Sequence, residues 1–185
     1  LSNGGFVVSW VSNGQDGSGL GVYVQRYDAD GVSQGGEFRV NTYTAGDQTD
    51  PSITALNTGG FVVTWESSGQ DGSGYGIYAQ RYNANGVPQG SEFRVNTYAT
   101  STQSDPSITA LTNGGFVVTW MSNGQDGSGY GIYAQCYDAN GVLQGIEFKV
   151  NAYLTGTQSD PSITALSDGG FVVSWVSNGQ DGSGL

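Results

Sequence analysis

There is no histidine in these 185 residues, only one cysteine and one methionine, and only five basic side chains against sixteen acidic ones. Each shortage removes a class of function. Without His, the commonest general acid–base and the usual partner of a cysteine nucleophile are both gone. Cys136 stands alone, so no internal disulfide can form. A net charge of −11 leaves no cationic surface to neutralise phosphates, which argues against nucleic acid and anionic membranes as partners. No apolar run approaches the roughly 18 residues of a spanning helix, so no membrane insertion is expected, and the first residues do not have the basic-then-apolar pattern of a leader.

What the chain has in abundance is glycine, 32 residues of it, at fixed offsets. Phe6, Phe61, Phe116 and Phe171 each open the phrase GGFVV(S/T)W, and each phrase is followed by GQDGSG. The period is 55 residues without insertion or deletion, and residues 56–110 share 43 of 55 positions with residues 111–165. Residues 166–185 copy residues 1–20 except for Asp168 against Asn3. The expected division is therefore repeat 1 (1–55), repeat 2 (56–110), repeat 3 (111–165) and the start of repeat 4 (166–185). A period of this size indicates a propeller, solenoid or array. Beginning within a repeat, the chain reads as a segment of something longer.

Apolar residues fall in short β-type runs between Gly, Asn, Asp and Ser clusters, never at helical spacing over three turns. Four strands are expected per unit, in repeat 1 at Gly5 to Val11, Gly21 to Tyr27, Glu37 to Asn41 and Ser52 to Leu56. In the first, Phe6, Val8 and Trp10 share one face and Val7 and Ser9 the other. Both faces are partly apolar, as in a strand covered on both sides by stacked sheets. The loops Asp28 to Gly31, Asn83 to Gly86 and Asp138 to Gly141 are tight-hairpin signals. Asp50-Pro51, Asp105-Pro106 and Asp160-Pro161 precede the fourth strand, with Pro expected at its first position. The expected fold is all-β: a β-propeller segment of four-stranded antiparallel blades. A β-trefoil or β-prism is the alternative, and it accommodates a fourth copy of the first strand poorly.

The run from Asp50 to Gly86, DPSITALNTGGFVVTWESSGQDGSGYGIYAQRYNANG, followed by EFRVN (Glu92 to Asn96), resembles a blade of the sialidase-like, Asp-box-containing β-propellers. The turns Asp30-Gly31, Asn85-Gly86 and Asn140-Gly141 match that pattern, whereas the Ser and closing Trp of the box are missing. The phrasing is also similar to tandem repeats of very large secreted or surface bacterial proteins. The resemblance implies SITAL as the innermost strand and EFRVN as the outermost. It also places the loops after Trp10 and before Pro51 on one end of the propeller.

Two chemistries are open for those loops. The GQDGSG turns, within Ser12 to Gly19, Ser67 to Gly74, Ser122 to Gly129 and Ser177 to Gly184, offer the oxygen donors a calcium ion takes. Asp16, Asp71 and Asp126 would ligate it, joined by Asp50, Asp105 and Asp160. Equally, Asp16, Asp71 and Asp126 could only cap turn amides. Gln15, Asp16, Ser18, Gln70, Asp71, Ser73, Tyr75, Gln125, Asp126, Ser128 and Tyr130 form a candidate sugar-binding set, with Tyr43, Tyr98 and Tyr153 opposite. Those tyrosines would otherwise cover blade edges. Arg26 and Arg81 sit where a half-buried guanidinium meets a carboxylate or carbonyls of the next blade, and Cys136 takes that slot in repeat 3.

Only Asp47, Glu66 and Asp168 stand apart from the repeat among the carboxylates, so near-identical blades are expected to lack the asymmetric residue set an enzyme needs. The expected function is a non-catalytic extracellular tandem-repeat module, a structural or assembly unit of a large surface protein or filament. The alternative is a multivalent glycan- or calcium-binding adhesion module. The expected partners are other copies of the chain or adjacent repeats, and cell-surface carbohydrate, outside the cell.

Overall fold

The structure is a computed structural model that describes residues 1–182; the loop from Ser177 to Gly184 therefore ends outside the described residues. No described residue is helical, and no described helix is long and apolar enough to cross a membrane. Four antiparallel sheets succeed one another along the chain. The first contains β1 (Phe6–Asn13), β2 (Leu20–Tyr27) and β3 (Phe38–Arg39). The second contains β4 (Gln48–Ala55), β5 (Phe61–Ser68), β6 (Tyr75–Tyr82) and β7 (Phe93–Arg94) in that spatial order. The third repeats it with β8 (Gln103–Ala110), β9 (Phe116–Asn123), β10 (Tyr130–Tyr137) and β11 (Leu143–Lys149). A two-stranded sheet of β12 (Gln158–Ala165) and β13 (Phe171–Ser177) completes the series. This is a propeller of four-stranded meander blades. The strand that opens each of the last three sheets comes from the end of the preceding repeat.

The two-faced pattern of the GGFVV(S/T)W strand explains why the sheets stack. On β5, Phe61, Val63 and Trp65 pack against Val22, Val24 and Val40 of the first blade. Val62 points the other way, joining Phe116, Val118 and Trp120 of the third. All of these β5 and β9 side chains have no solvent exposure. Within each blade cross-strand rings pair: Phe61 stacks on Tyr82 at 5.0 Å and Phe116 on Tyr137 at 4.9 Å, a geometry that adds to simple burial. Gly60 is needed beneath that stack, because a Cβ there would lie 2.2 Å from the Tyr82 carbonyl oxygen.

The inner strands β4, β8 and β12 lie side by side around the propeller axis, as the resemblance implied for SITAL. They begin earlier than expected, at Gln48, Gln103 and Gln158, and the Asp-Pro pair lies inside the strand. Proline is accommodated because the register slips between Thr49 and Ser52, and likewise in β8 and β12. This β-bulge leaves the missing N–H without a ladder partner to lose. The outer strand is shorter than expected, pairing only through Phe38–Arg39 and Phe93–Arg94 in the first two blades.

Blades are also latched across the hairpin turns. The Arg26 Nη1 group donates to the Ala84 carbonyl at 2.7 Å, and Arg81 donates to the carbonyls of Ala139 (2.7 Å) and Asn140. The slot of Cys136 is thus a blade-to-blade latch position that the thiol cannot serve, and burial pushes that thiol's pKa up. Arg81→Met keeps the aliphatic stem and removes the donors. It is expected to cost about 2 kcal/mol, the worth of charge-assisted hydrogen bonds, read as a lowered urea midpoint with unchanged slope.

Candidate functional site

The GQDGSG loops are organised chiefly by their own hydrogen bonds. The Oδ1 atoms of Asp16, Asp71 and Asp126 accept from the amides of Ser18, Ser73 and Ser128 at 3.1, 3.2 and 3.3 Å, the Asx-turn arrangement. Their Oδ2 atoms are buried against the adjoining strand, close enough to Gly21, Gly76 and Gly131 that a Cβ would meet them at 2.8 to 2.9 Å. Arg94 approaches Asp71 at 3.9 Å. Gln15, Gln70 and Gln125 turn outward and each donates at 2.6 Å to an outer-strand glutamate, Glu37, Glu92 and Glu147. Glu92 and Glu147 in turn accept from the backbone and hydroxyl of Thr42 and Thr97 on the preceding blade. Ser73 Oγ bridges to Ser101 of the next loop. Tyr75 and Tyr130 are half-buried at the starts of β6 and β10. The candidate sugar-binding residues therefore sit in one belt of loops, with the glutamine Nε2 and aspartate Oδ1 atoms bonded within the protein and Asp16, Asp71 and Asp126 Oδ2 and Gln70 and Gln125 Oε1 buried without a hydrogen-bond partner.

The six candidate calcium aspartates are divided between two places. Asp16, Asp71 and Asp126 lean on their own blades, whereas Asp50, Asp105 and Asp160 converge at the axis. There they line a cleft of about 380 Å³ together with the prolines and serines next to them in sequence. Among the described residues no group of three or more His, Cys, Asp or Glu is arranged to hold a metal ion.

The backbone of the axial turns is unusual. Asp50, Asp105 and Asp160 have φ of 48°, 52° and 51°, in the left-handed region that a side chain enters at a cost. A residue before proline ordinarily stays extended. Asp is among the few residues that tolerate this conformation, and the strain holds three carboxylates around one opening.

Beneath the first two of these turns lies Glu66, 5% exposed on β5. Its equivalents in the other copies are Val11, Met121 and Val176. One carboxyl oxygen accepts from the Asp105 amide at 2.7 Å, and the other meets Thr49 Oγ1 at 3.5 Å. Burial raises its pKa from an ordinary 4.5 to about 7. The Asp105 amide opposes that rise, and the charges of Asp50 and Asp105 reinforce it. Asp105 is raised in its turn by burial and by the charges of Asp50 and Asp160. Glu66 can thus hold a proton near neutral pH within hydrogen-bond reach of the Asp105 backbone, and a carboxyl that keeps its proton there is what general-acid chemistry requires. In the sequence Glu66 is visible only as a departure from the repeat, with nothing to place it, and that departure was the one signal available.

No family model and no curated protein matches the chain. Solved structures do. A Penicillium chrysogenum alpha-L-arabinanase complexed with arabinobiose matches with a TM-score of 0.60 at 17% identity, over 92% of this chain and 49% of the other. An endo-arabinase from Bacteroides thetaiotaomicron matches with a TM-score of 0.56 at 15% identity, over 93% and 66%. A thermostable family-43 glycoside hydrolase gives 0.56 at 12% identity, over 99% and 65%. The chain thus spans between about half and two thirds of the length of these structures. At such identities the likeness shows the fold, and it supports the propeller at a coarser level than the sialidase-type resemblance. It overturns the expectation of a non-catalytic structural or adhesion module and the exclusion of an enzyme. Those rested on the argument that such blades cannot supply a catalytic set, yet the structures sharing the architecture are glycan-cleaving enzymes. The copies are moreover not identical beside the axis, where Glu66 stands in place of Val11, Met121 and Val176.

Proposed function

We propose that the chain is part of a carbohydrate-processing propeller that cleaves glycosidic bonds of neutral glycans at its axis, outside the cell. The observation that carries this reading is the axial carboxyl set, with Glu66, raised to about 7 by burial, bonded to the amide of Asp105, which lines the cleft with Asp50 and Asp160. Glycoside hydrolysis needs two carboxyl groups in different protonation states, one to protonate the leaving oxygen and one to activate water or attack the sugar carbon. Glu66 supplies the acid, and Asp105, bonded to it through the backbone amide, supplies the carboxylate facing the cleft. The fold shared with arabinan- and glycoside-cleaving enzymes supports the same reaction class. A net charge of −11 and three aspartates at the mouth repel acidic polysaccharides, which leaves neutral sugars as the substrate class.

The test is release of reducing sugar from arabinan, xylan and other neutral oligosaccharides. Glu66→Gln, which keeps the shape and the acceptor for the Asp105 amide, is expected to lower the rate at least about 100-fold, the lower end of general-acid contributions. The wild-type rate is expected to fall as pH rises through about 7, where Glu66 loses its proton. No release from any of these glycans, or equal rates in wild type and variant, would overturn the reading.

A further inference from the structure

A second opening lies between the blades, away from the axial aspartates. Where the outer strand of the first blade faces the second, a groove of about 1000 Å³ has the segment Phe38 to Thr42 on one wall and Gln80, Tyr82, Pro88, Ser91 and Glu92 on the other. Side chains alternate along β3, so Phe38 turns into the groove, where its ring meets Tyr82 at 5.4 Å and 54°, and Arg39 turns to the opposite face. On the far wall, residues 89–92 run between the Tyr82–Pro88 bridge and the Ala79–Phe93 pair, opposite only residues 80–81. Four residues facing two must bow away from β6, and the bow gives the groove its depth.

The same positions recur between blades 2 and 3, where the groove is only about 380 Å³. Leu143 stands there for Pro88 and Ile146 for Ser91, and both line the narrower space. The wide groove is therefore a property of one pair of blades and not of the repeat.

Its chemistry is that of acceptors over rings. Gln80 is 3% exposed, and its Nε2 donates to the carbonyls of Arg81 at 2.9 Å and Gly90 at 3.2 Å. The carboxamide is thereby fixed, with its Oε1 bonded to no donor among the described residues. Glu92 accepts from the Thr42 amide, the Thr42 hydroxyl and Gln70 Nε2, which occupies three of the roughly four acceptor positions of a carboxylate. The guanidinium of Arg26, next to Gly86 in the groove, is taken up by the carbonyls of Ala84 and Gln34. A ligand fitting this site donates hydrogen bonds, carries no negative charge and lays an apolar face on Phe38 and Tyr82. A neutral sugar ring has all three properties.

We infer that the groove between blades 1 and 2 is a second carbohydrate site, which holds a short stretch of neutral glycan apart from the axis. Sugar hydroxyls donate to Gln80 Oε1 and to the remaining position of Glu92, and the C–H face of the ring covers Phe38 and Tyr82. The choice of ligand rests on the glycan-processing reading.

The test is a titration of the 185-residue Glu66→Gln chain, in which turnover is suppressed, with short arabinan- and xylan-derived oligosaccharides, followed through backbone amide NMR signals. Saturable shifts are expected at Gly86 and Gly90, distinct from those at Asp105 and Ser107 of the axis. Pro88→Leu with Ser91→Ile installs the residues the third blade already carries. It is expected to leave the urea midpoint unchanged and to weaken binding read at Gly86 and Gly90 at least about tenfold. The converse pair, Leu143→Pro with Ile146→Ser, is expected to create new saturable shifts at Gly141 and Gly145. No shift at Gly86 and Gly90 with any of these sugars, shifts there that survive Pro88→Leu with Ser91→Ile, or saturation of those amides by choline in place of sugar would each overturn the site. Because the titration needs no cleavage, binding in the groove by a chain that releases no reducing sugar would uphold this site while the axial reading falls.

Discussion

Asn96→Leu is expected to destabilise the chain by about 3 to 4 kcal/mol, more than a typical core substitution, although Leu fills nearly the same space. The reason is a buried amide network. Asn96 Oδ1 accepts from the Ile77 amide at 2.7 Å, and its Nδ2 donates to the Tyr98 carbonyl at 2.8 Å and to Gln103 Oε1 at 2.9 Å. Gln103 Nε2 closes the set by donating to the Thr100 carbonyl at 3.0 Å. Both side chains are 2% exposed or less. Leucine would strand one amide, one carbonyl and one carboxamide oxygen away from water, at roughly 1 to 3 kcal/mol each, partly relieved by relaxation. The same network recurs as Asn41 with Gln48 and Asn151 with Gln158. In each case it bridges the outermost strand of one blade and the innermost strand of the next, and so holds the turn that carries the axial aspartate. Urea unfolding checks the prediction against Gln89→Leu, an exposed control expected to stay within about 0.5 kcal/mol. A loss no larger than the control's would mean the network is replaced by water at little cost.

The amphipathic phrases of the repeat made the blades legible, and its polar residues concealed the rest. Phe61, Val63 and Trp65 on one face and Val62 on the other announced a strand between two sheets, and the hairpin glycines located the turns. Asn41, Asn96 and Asn151 come directly after a strand and read as the first residue of a loop, because nothing local shows that a glutamine seven positions later will be buried against them. The length of the outer strand was equally hidden. With Ser33 or Pro88 at this position the pairing shrinks to a bridge with Tyr27 or Tyr82. Leu143 occupies it in the third blade, where β11 extends from Leu143 to Lys149. The Asp-Pro pairs were legible as the approach to the inner strand, but not their place within it or their left-handed aspartates, which depend on a bulge across two strands. Glu66 was the costliest omission. Among Val11, Met121 and Val176 it reads as drift, and only the approach of the Asp50 and Asp105 turns makes an odd residue into a proton-holding group.

Glu66→Gln gives that group a second readout that needs no substrate. Its carboxyl titrates near 4.5 when the chain is unfolded and at about 7 when folded. Below about pH 4.5 it is protonated in both states, and the wild type loses nothing to it. Between 4.5 and 7 the unfolded chain releases the proton while the folded chain retains it, so stability falls as pH rises, and it levels off above about 7. The full shift corresponds to roughly 3 kcal/mol, and partial solvent screening reduces this to about 2 kcal/mol. Glutamine has no proton to lose and still accepts from the Asp105 amide. The variant is therefore expected to match the wild type at pH 4 and to exceed it by about 2 kcal/mol at pH 8, seen as a higher melting temperature that rises with pH relative to wild type. Glu66→Met, which imports the Met121 side chain, should show the same pH profile. A gap of equal size at both pH values would assign the effect to packing and remove the physical basis for Glu66 as the proton donor. A gap that opens between pH 4.5 and 7 would mean that the fold bears a cost at neutral pH to keep this one carboxyl at its axis, which natural chains do at functional sites.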